Sequence, residues 1–221
     1  MVKTYQNKWV VSTTRVAIVG QESLEGVLRE GTGWGGVVLC HPHPLYGGSM
    51  DNNVVEAMEE AFSLIGFSTV RFNFRGVGSS TGAYDGGEGE VEDVLAACRF
   101  MRERGRADER LVLAGYSFGA WVSARAASRI EGPVDLFLVA YPFSVYGSDA
   151  LRSFRGPIRF VGGSLDEISP LDDLMALYKE LKTDKSLRVI PASHFFEGRE
   201  EEIADFIREI FGPGTGGPSC P

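Results

Sequence analysis

Short apolar runs alternate along this chain with segments in which apolar residues recur at helical spacing. The runs lie at residues 37–40, 69–74, 111–114, 136–140, 158–161 and 187–190. Between or after them, segments 91–101 and 203–211 repeat apolar residues at the i, i+3, i+4 spacing of one helix face. Strands that are buried on both faces read as nearly continuous apolar runs. The alternation therefore predicts an α/β fold, with a mostly parallel, twisted sheet and helices on both of its faces.

The length of the chain and its two ends suggest how this fold is organised. Two alternating stretches, residues 16–19 and 24–28, predict an antiparallel hairpin at one edge of the sheet. The chain has 221 residues, 43% of them hydrophobic, which suits one core better than two. We therefore expect a single domain over residues 1–211. Residues 212–221 are rich in glycine and proline and predict a flexible tail.

Charge and cysteine content exclude several classes of partner. The net charge is −8, and lysine and arginine form no block, so we expect neither nucleic acid nor an anionic membrane as a partner. The chain start lacks the apolar segment of a signal peptide, and no apolar run is long enough to span a membrane. A cytoplasmic monomer or homodimer is expected. Cys40, Cys98 and Cys220 lack metal or redox spacing, and the first two are expected to be small core residues.

The pentapeptide Gly115-Tyr116-Ser117-Phe118-Gly119 stands between a predicted strand and a predicted helix. A serine at the apex of such a turn, with glycine two residues away on either side, is the pattern of a nucleophile elbow. The serine needs a strained backbone there, and side chains at the glycine positions would collide where strand and helix nearly touch. Ser117 is therefore the predicted nucleophile.

A serine nucleophile needs a base, and the base needs a group to orient it. His194 follows the last predicted strand, and in this type of fold the base comes last in the chain, after the nucleophile and the acid. The acid should follow the strand before it, which places Asp166 on a loop that begins with two glycines. Its neighbour Glu167 would face the other way. Asp172 and Asp173 are expected in the first turn of a helix.

The loop 41–50, His-Pro-His-Pro-Leu-Tyr-Gly-Gly-Ser-Met, should supply part of an oxyanion hole. Acyl transfer uses two N–H groups, one from the residue after the nucleophile and one from this loop. Phe118 provides the first. Because proline has no N–H, the second could come from His43, Leu45 or Tyr46, and we favour Leu45.

The spacing of His41 and His43 also occurs in metal hydrolases, but no Asp-His follows to complete a ligand set. We expect neither metal nor cofactor, and interpret both histidines as structural. Asp51 is expected to cap the helix 52–65.

Aromatic residues and a glycine-rich turn complete the candidate site. Tyr46, Phe118, Phe195 and Phe196 fall on loops expected at one end of the sheet, where they would bind apolar groups of a substrate. The glycine-rich segment 72–82 lacks the lysine of a phosphate-binding loop. We interpret it as a turn beside the pocket, fixed by Arg75 and a nearby carboxylate.

These motifs give the chain a resemblance to the α/β-hydrolase superfamily over about residues 15–211. More narrowly, His41-Pro-His-Pro with Gly47-Gly-Ser-Met50, Asn73-Phe-Arg-Gly-Val-Gly-x-Ser-x-Gly82 and Gly115-Tyr-Ser-Phe-Gly119 resemble small, lid-less bacterial serine hydrolases related to dienelactone hydrolases. The resemblance implies an α/β-hydrolase fold without a cap domain and a carboxylesterase activity. The resemblance also assigns Ser117 as nucleophile, Asp166 as acid and His194 as base. Dienelactone hydrolases proper use a cysteine nucleophile, so the serine argues against a dienelactone substrate and leaves the broader interpretation as an ester hydrolase intact.

The predicted function is hydrolysis of short-chain carboxylic esters through an acyl-enzyme, with a small-molecule ester as substrate. Only fifteen residues, 142–156, separate two predicted strands where a lid could be inserted, so the site should be open. A thioesterase, a small peptidase, or a binding protein that uses the same fold without catalysis remain alternatives, because fold and triad do not fix the leaving group.

Overall fold

The computed structural model describes residues 12–33 and 35–213, and within these ranges eight strands form one sheet. The strands are β1 (Thr13–Val19), β2 (Ser23–Arg29), β3 (Gly36–Cys40), β4 (Ser68–Phe72), β5 (Leu111–Tyr116), β6 (Val134–Val139), β7 (Ile158–Gly163) and β8 (Lys185–Ile190). Their order is β1-β2-β4-β3-β5-β6-β7-β8. The six strands from β3 to β8 are parallel, whereas β2 runs antiparallel to both β1 and β4. The predicted strands and the edge hairpin are confirmed.

Helices cover both faces of this sheet. They are α1 (Asn53–Leu64), α2 (Glu88–Glu103), α3 (Phe118–Ala127), α4 (Phe143–Tyr146), α5 (Asp149–Ser153), α6 (Leu171–Glu180) and α7 (Glu200–Phe211). The apolar faces of α1 and α7 form one core cluster, and those of α2, α3 and α6 form another with the opposite sheet face. Every residue of β3, β5 and β6 is buried, as expected for central strands covered on both sides.

The parallel strands bring their carboxyl ends to a single edge of the sheet, and the loops after β3, β4, β5, β6, β7 and β8 meet there. Between β6 and β7 the chain forms only the short helices α4 and α5, so within the described residues no cap domain covers this edge. None of the helices in the described ranges is both long and apolar enough to cross a membrane.

Two local predictions are confirmed by the structure. Cys40 and Cys98 are buried free thiols, as expected, and Asp172 and Asp173 lie in the first turn of α6. The predicted cap of α1 is wrong by one residue. The Asn52 side chain accepts the N–H of Val54 at 3.0 Å, while Asp51 pairs with Arg71.

The predicted tail, residues 212–221, lies outside the described residues except at positions 212 and 213.

Candidate active site

The turn between β5 and α3 holds Ser117 in a strained conformation. Its φ is 54° and its ψ is −118°. Residues other than glycine rarely adopt this backbone conformation. A Cβ at Gly115 would collide with the carbonyl of Gly119, and one at Gly119 would lie 2.6 Å from the carbonyl oxygen of His41. Both glycines are therefore required for α3 to start this close to β3 and β5. The Ser117 N–H donates to the carbonyl of Val139 on β6 at 2.9 Å, which anchors the turn to the sheet.

His194 lies on the loop between β8 and α7, and its ring meets the serine. Nε2 of His194 is 2.9 Å from Oγ of Ser117. The buried hydroxyl of Tyr116, the last residue of β5, donates to the carbonyl oxygen of His194 at 2.7 Å. That bond fixes the backbone of the histidine relative to the strand that carries the serine.

Asp166 lies on the loop after β7 and uses its two carboxylate oxygens differently. Oδ2 is 2.8 Å from Nδ1 of His194. Oδ1 accepts the N–H groups of Ile168 at 2.9 Å and Ser169 at 2.7 Å. Glu167, the neighbouring acid, is exposed. The loop therefore fixes Asp166 through main-chain donors and leaves one oxygen for the histidine.

Gly163 explains how the loops of the acid and the histidine come together. A Cβ at this position would lie 2.5 Å from the carbonyl oxygen of Ala192. Any side chain at the end of β7 would therefore push the loop of His194 away from the loop of Asp166.

His41 attaches the loop after β3 to the end of β4. Its ring is completely buried, and Nε2 accepts the N–H of Phe74 at 3.0 Å. Nδ1 therefore carries the proton and donates to the carbonyl of Pro42 at 2.6 Å. Burial lowers the pKa of His41 to about 4; the neighbouring His43 acts in the same direction and the bond to Pro42 opposes it. The ring is neutral and both of its nitrogens are occupied, which supports the structural interpretation over a metal ligand.

His43 caps a short 3₁₀ turn, Pro44–Tyr46, and this overturns the preference for Leu45 as an oxyanion donor. The N–H of Leu45 donates to Nδ1 of His43 at 3.2 Å, and the N–H of Tyr46 donates to the carbonyl of His43 at 3.1 Å. Of the three candidates, only the N–H of His43 itself has no hydrogen-bond acceptor within the described residues. The N–H of Phe118, at the first position of α3, is also without one there.

The four aromatic residues predicted at the pocket mouth divide into two pairs. Tyr46 and Phe195 are 86% and 58% exposed and lie on loops at the same edge as Ser117. The prediction is wrong for the rings of Phe118 and Phe196, which are buried. Phe118 packs edge-on against Phe74, and Phe196 packs edge-on against Tyr116 in the core beside α7. Neither ring can line an open site.

Three aromatic residues around Phe118, which follows the serine, were not predicted from the sequence. Tyr84, Trp121 and Tyr146 contact the ring of Phe118, with centroid distances of 5.9, 5.5 and 6.0 Å. Tyr84 and Tyr146 follow β4 and β6, whose carboxyl ends lie at the same edge as the serine. Their position after parallel strands was the available signal.

The glycine-rich turn after β4 is fixed as expected. The Arg75 side chain forms a buried ion pair with Asp93 of α2, with an N–O distance of 2.8 Å. The main-chain N–H of Arg75 donates to the same carboxylate. Among the residues that the structure describes, no group of three or more His, Cys, Asp or Glu side chains is arranged to hold a metal ion.

A match to one protein family spans all three residues of the candidate triad. The model of the dienelactone hydrolase family matches residues 82–206, more than half of the chain. This chain belongs to the dienelactone hydrolase family.

A sequence relative and solved structures extend this similarity beyond the matched residues. An uncharacterized protein of Rickettsia prowazekii is 33% identical over 184 residues, which cover 78% of this chain and 76% of that protein. An α/β serine hydrolase homologue from Coxiella burnetii is 36% identical with a TM-score of 0.84, over 92% of this chain and all of the other. An α/β serine hydrolase without a lid from Xanthomonas campestris is 29% identical with a TM-score of 0.83, over 95% and 97%. Family and relatives together support an α/β-hydrolase fold and a hydrolase activity.

Proposed function

We propose that this dienelactone hydrolase family member hydrolyses short-chain carboxylic esters through an acyl-enzyme formed on Ser117. The observation that carries the proposal is the continuous hydrogen-bonded series from Ser117 through His194 to Asp166, with distances of 2.9 and 2.8 Å. A nucleophile, a base and an orienting acid in hydrogen-bond contact are the requirements for activating a serine hydroxyl.

In the proposed reaction, Oγ of Ser117 attacks the ester carbonyl while Nε2 of His194 takes its proton. Asp166 accepts the proton on Nδ1 of His194 in a hydrogen bond, which keeps Nε2 free as the acceptor and stabilises the imidazolium. The imidazolium then protonates the leaving alcohol. A water molecule repeats the cycle and releases the acid.

The negative charge that develops on the carbonyl oxygen needs donors already in place. The N–H of Phe118 is at the start of α3, where the helix dipole also favours negative charge. We propose the N–H of His43 as the second donor, because the alternatives in its loop are occupied. His41 would hold that loop in position through its hydrogen bond with the Phe74 N–H.

The preference for short acyl chains rests on the segment between β6 and β7. Its helices α4 and α5 have four and five residues, too few to cover a long apolar trough. A permanently open trough would leave a large apolar surface in water, which monomeric proteins rarely do.

The direct test is turnover of p-nitrophenyl butyrate by the wild type and by Ser117→Ala. We expect the variant to lose about 10⁴-fold or more in kcat while its thermal midpoint is little changed, because Ser117 projects from the turn. A fluorophosphonate probe should label the wild type and not the variant. Retention of more than about a tenth of the activity by purified Ser117→Ala would refute the assignment of the nucleophile.

Asp166→Asn tests the acid separately, with Glu167→Gln as its matched control. An asparagine has one oxygen, and two main-chain N–H groups already point at Oδ1. The amide oxygen should stay there and turn its NH₂ group toward Nδ1 of His194, which then becomes an acceptor. The proton moves to Nε2, where it blocks removal of the serine proton, so kcat should fall by about 10⁴-fold.

Glu167→Gln should change kcat by less than about twofold, because its side chain is exposed. A larger loss for Glu167→Gln than for Asp166→Asn would refute the assignment of the acid.

A further inference from the structure

Three tyrosines from three different segments lie around His43 and Phe118, the residue after the proposed nucleophile. Tyr46 follows β3, Tyr84 follows β4, and Tyr146 ends α4 after β6. We call these three rings the tyrosine surface. Each segment leaves the sheet at the edge where Ser117 lies, so the tyrosine surface belongs to the same face of the molecule as the candidate active site.

The tyrosine surface packs against the side chains of two residues in the proposed oxyanion hole, His43 and Phe118. The ring of His43 lies 4.6 Å from Tyr46, 5.0 Å from Tyr84 and 4.9 Å from Phe118, centroid to centroid. Phe118 directly follows the nucleophile. The tyrosine surface is therefore packed against the two residues whose N–H groups we propose as oxyanion donors.

The ring of Tyr146 stacks face to face on a neighbouring aromatic ring. Its ring stacks on Trp121 with a centroid distance of 4.1 Å and an interplanar angle of 14°. Trp121 in turn packs against Phe118 and carries the Arg125 guanidinium 5.0 Å from its ring centre. Such stacking restricts Tyr146 to one orientation, which is the property of a preformed binding surface.

The hydroxyl groups of the tyrosine surface are not used to hold the loops together. Within the described residues, none of the three hydroxyls has a hydrogen-bond partner. Tyr116, by contrast, uses its hydroxyl to fix the backbone of His194. Burial raises the pKa of Tyr84, and raises that of Tyr146 to about 12 with smaller contributions from the other two tyrosines. Two of the rings are thus partly buried, protonated at neutral pH and free to bond a ligand.

Two charged side chains near these rings, those of Arg125 and Glu90, already have partners. Arg125 forms an ion pair with Glu88, and the carboxylate of Glu90 accepts the N–H groups of Asp85 and Gly87. A ligand of the tyrosine surface would therefore find flat rings and neutral hydroxyls. Aromatic rings bind such surfaces by offset stacking or edge-to-face contact.

We propose that Tyr46, Tyr84 and Tyr146 form a subsite that binds an uncharged aromatic ring of the ester substrate. This inference rests on the proposed ester hydrolysis, and it narrows the substrate class to esters with an aromatic group close to the carbonyl. Trp121 acts as a positioning residue, because its ring is covered by Tyr146.

The test compares esters that differ only in an aromatic or a cyclohexyl ring. Benzyl acetate and cyclohexylmethyl acetate place the ring on the alcohol. Methyl 3-phenylpropanoate and methyl 3-cyclohexylpropanoate place it on the acyl group. Hydrolysis is followed by acid release, and the readout is the aromatic-to-cyclohexyl ratio of kcat/KM. In at least one pair we expect the wild type to favour the aromatic ester by roughly two- to tenfold.

Variants of the tyrosine surface test whether its rings cause the preference for the aromatic ester. Tyr84→Leu and Tyr146→Leu should abolish the preference, while Tyr84→Phe and Tyr146→Phe should keep it, since phenylalanine retains the ring. Tyr178→Leu is the matched control, because Tyr178 lies on α6 and packs against Phe160 away from this edge. It should leave the ratio unchanged. If the leucine variants fail to fold, Tyr46→Ala carries the test, since the Tyr46 side chain is largely exposed.

Two outcomes would overturn the inference, and they differ in what else they overturn. Turnover of these esters with a ratio near one, or with a ratio that the leucine or alanine variants leave unchanged, refutes the subsite and leaves ester hydrolysis intact. No turnover of any of the four esters or of p-nitrophenyl butyrate, together with no fluorophosphonate labelling, refutes the proposed function and the subsite with it.

Discussion

Protonation of His41 should destabilise the folded protein in a defined range of pH. The ring is completely buried between β3 and the end of β4, and its Nε2 accepts the N–H of Phe74 at 3.0 Å. A proton on Nε2 would break that bond and bury a charge. Burial accordingly lowers the pKa of His41 from 6.5 to about 4.

The size and sign of the effect follow from this pKa. The unfolded chain binds a proton at His41 below about pH 6.5, whereas the folded chain does so only below about pH 4, so the unfolded state gains stability between these values. The free energy of unfolding should therefore fall by about 3 kcal/mol as the pH decreases through this range, and by about 2 kcal/mol between pH 7 and pH 5. Above pH 7, His41 should contribute no pH dependence.

The assay is urea unfolding at several pH values, comparing the wild type with His41→Gln. Glutamine can place its amide oxygen near the position of Nε2, where it would accept the Phe74 N–H, and it does not titrate in this range. The variant loses the ring contact with Phe74 and should be less stable at pH 7. Its stability should nevertheless fall by about 2 kcal/mol less than that of the wild type between pH 7 and pH 5. His43→Asn is the control and should change the slope less, since His43 is only partly buried.

Equal slopes for the wild type and His41→Gln would refute this explanation of the pH dependence. That result would mean that the buried ring does not resist protonation, or that the loop opens at little cost. In either case His41 could not be the residue that holds the oxyanion loop against β4.

Two further predictions concern the elbow and the substrate. Gly119→Ala should lower kcat and should lower the free energy of unfolding by about 1–3 kcal/mol, because the alanine Cβ would collide with the main-chain carbonyls of Cys40 and His41. Wild-type activity in this variant would show that α3 can shift freely. In a series of p-nitrophenyl esters, kcat/KM should decrease from C4 to C16 without a jump at the solubility limit, and a rate that climbs with chain length would contradict the open, short site.

The parts of the site that the sequence predicted are those tied to chain order and to backbone constraints. Glycines on both sides of Ser117 mark a turn that has no room for side chains, and the structure has Ser117 at φ 54°. Asp166 and His194 each follow a strand of a parallel sheet, so the strand pattern alone brings their loops to one edge. These inferences needed no knowledge of side-chain packing.

The incorrect predictions depend on local geometry that no periodic pattern encodes. Phe195 and Phe196 are adjacent, yet one is 58% exposed and the other fully buried. The positive φ of Phe196 turns the chain there. Likewise, Leu45 was excluded as an oxyanion donor only by the His43 ring, which caps the turn with its own nitrogen. Histidine is a weak sequence signal for capping, so this contact could not be anticipated.

The proposed chemistry and the proposed recognition depend on different kinds of contact in this molecule. Asp166 and His194 are fixed by hydrogen bonds that involve the main chain, through Ile168, Ser169 and the Tyr116 hydroxyl. The tyrosine surface is held by ring packing among side chains from separate loops. The donors to Asp166 are main-chain N–H groups, which persist when side chains change, whereas a ring contact is lost with one substitution. Replacements in the tyrosine surface should therefore alter which esters are accepted while the triad keeps its geometry.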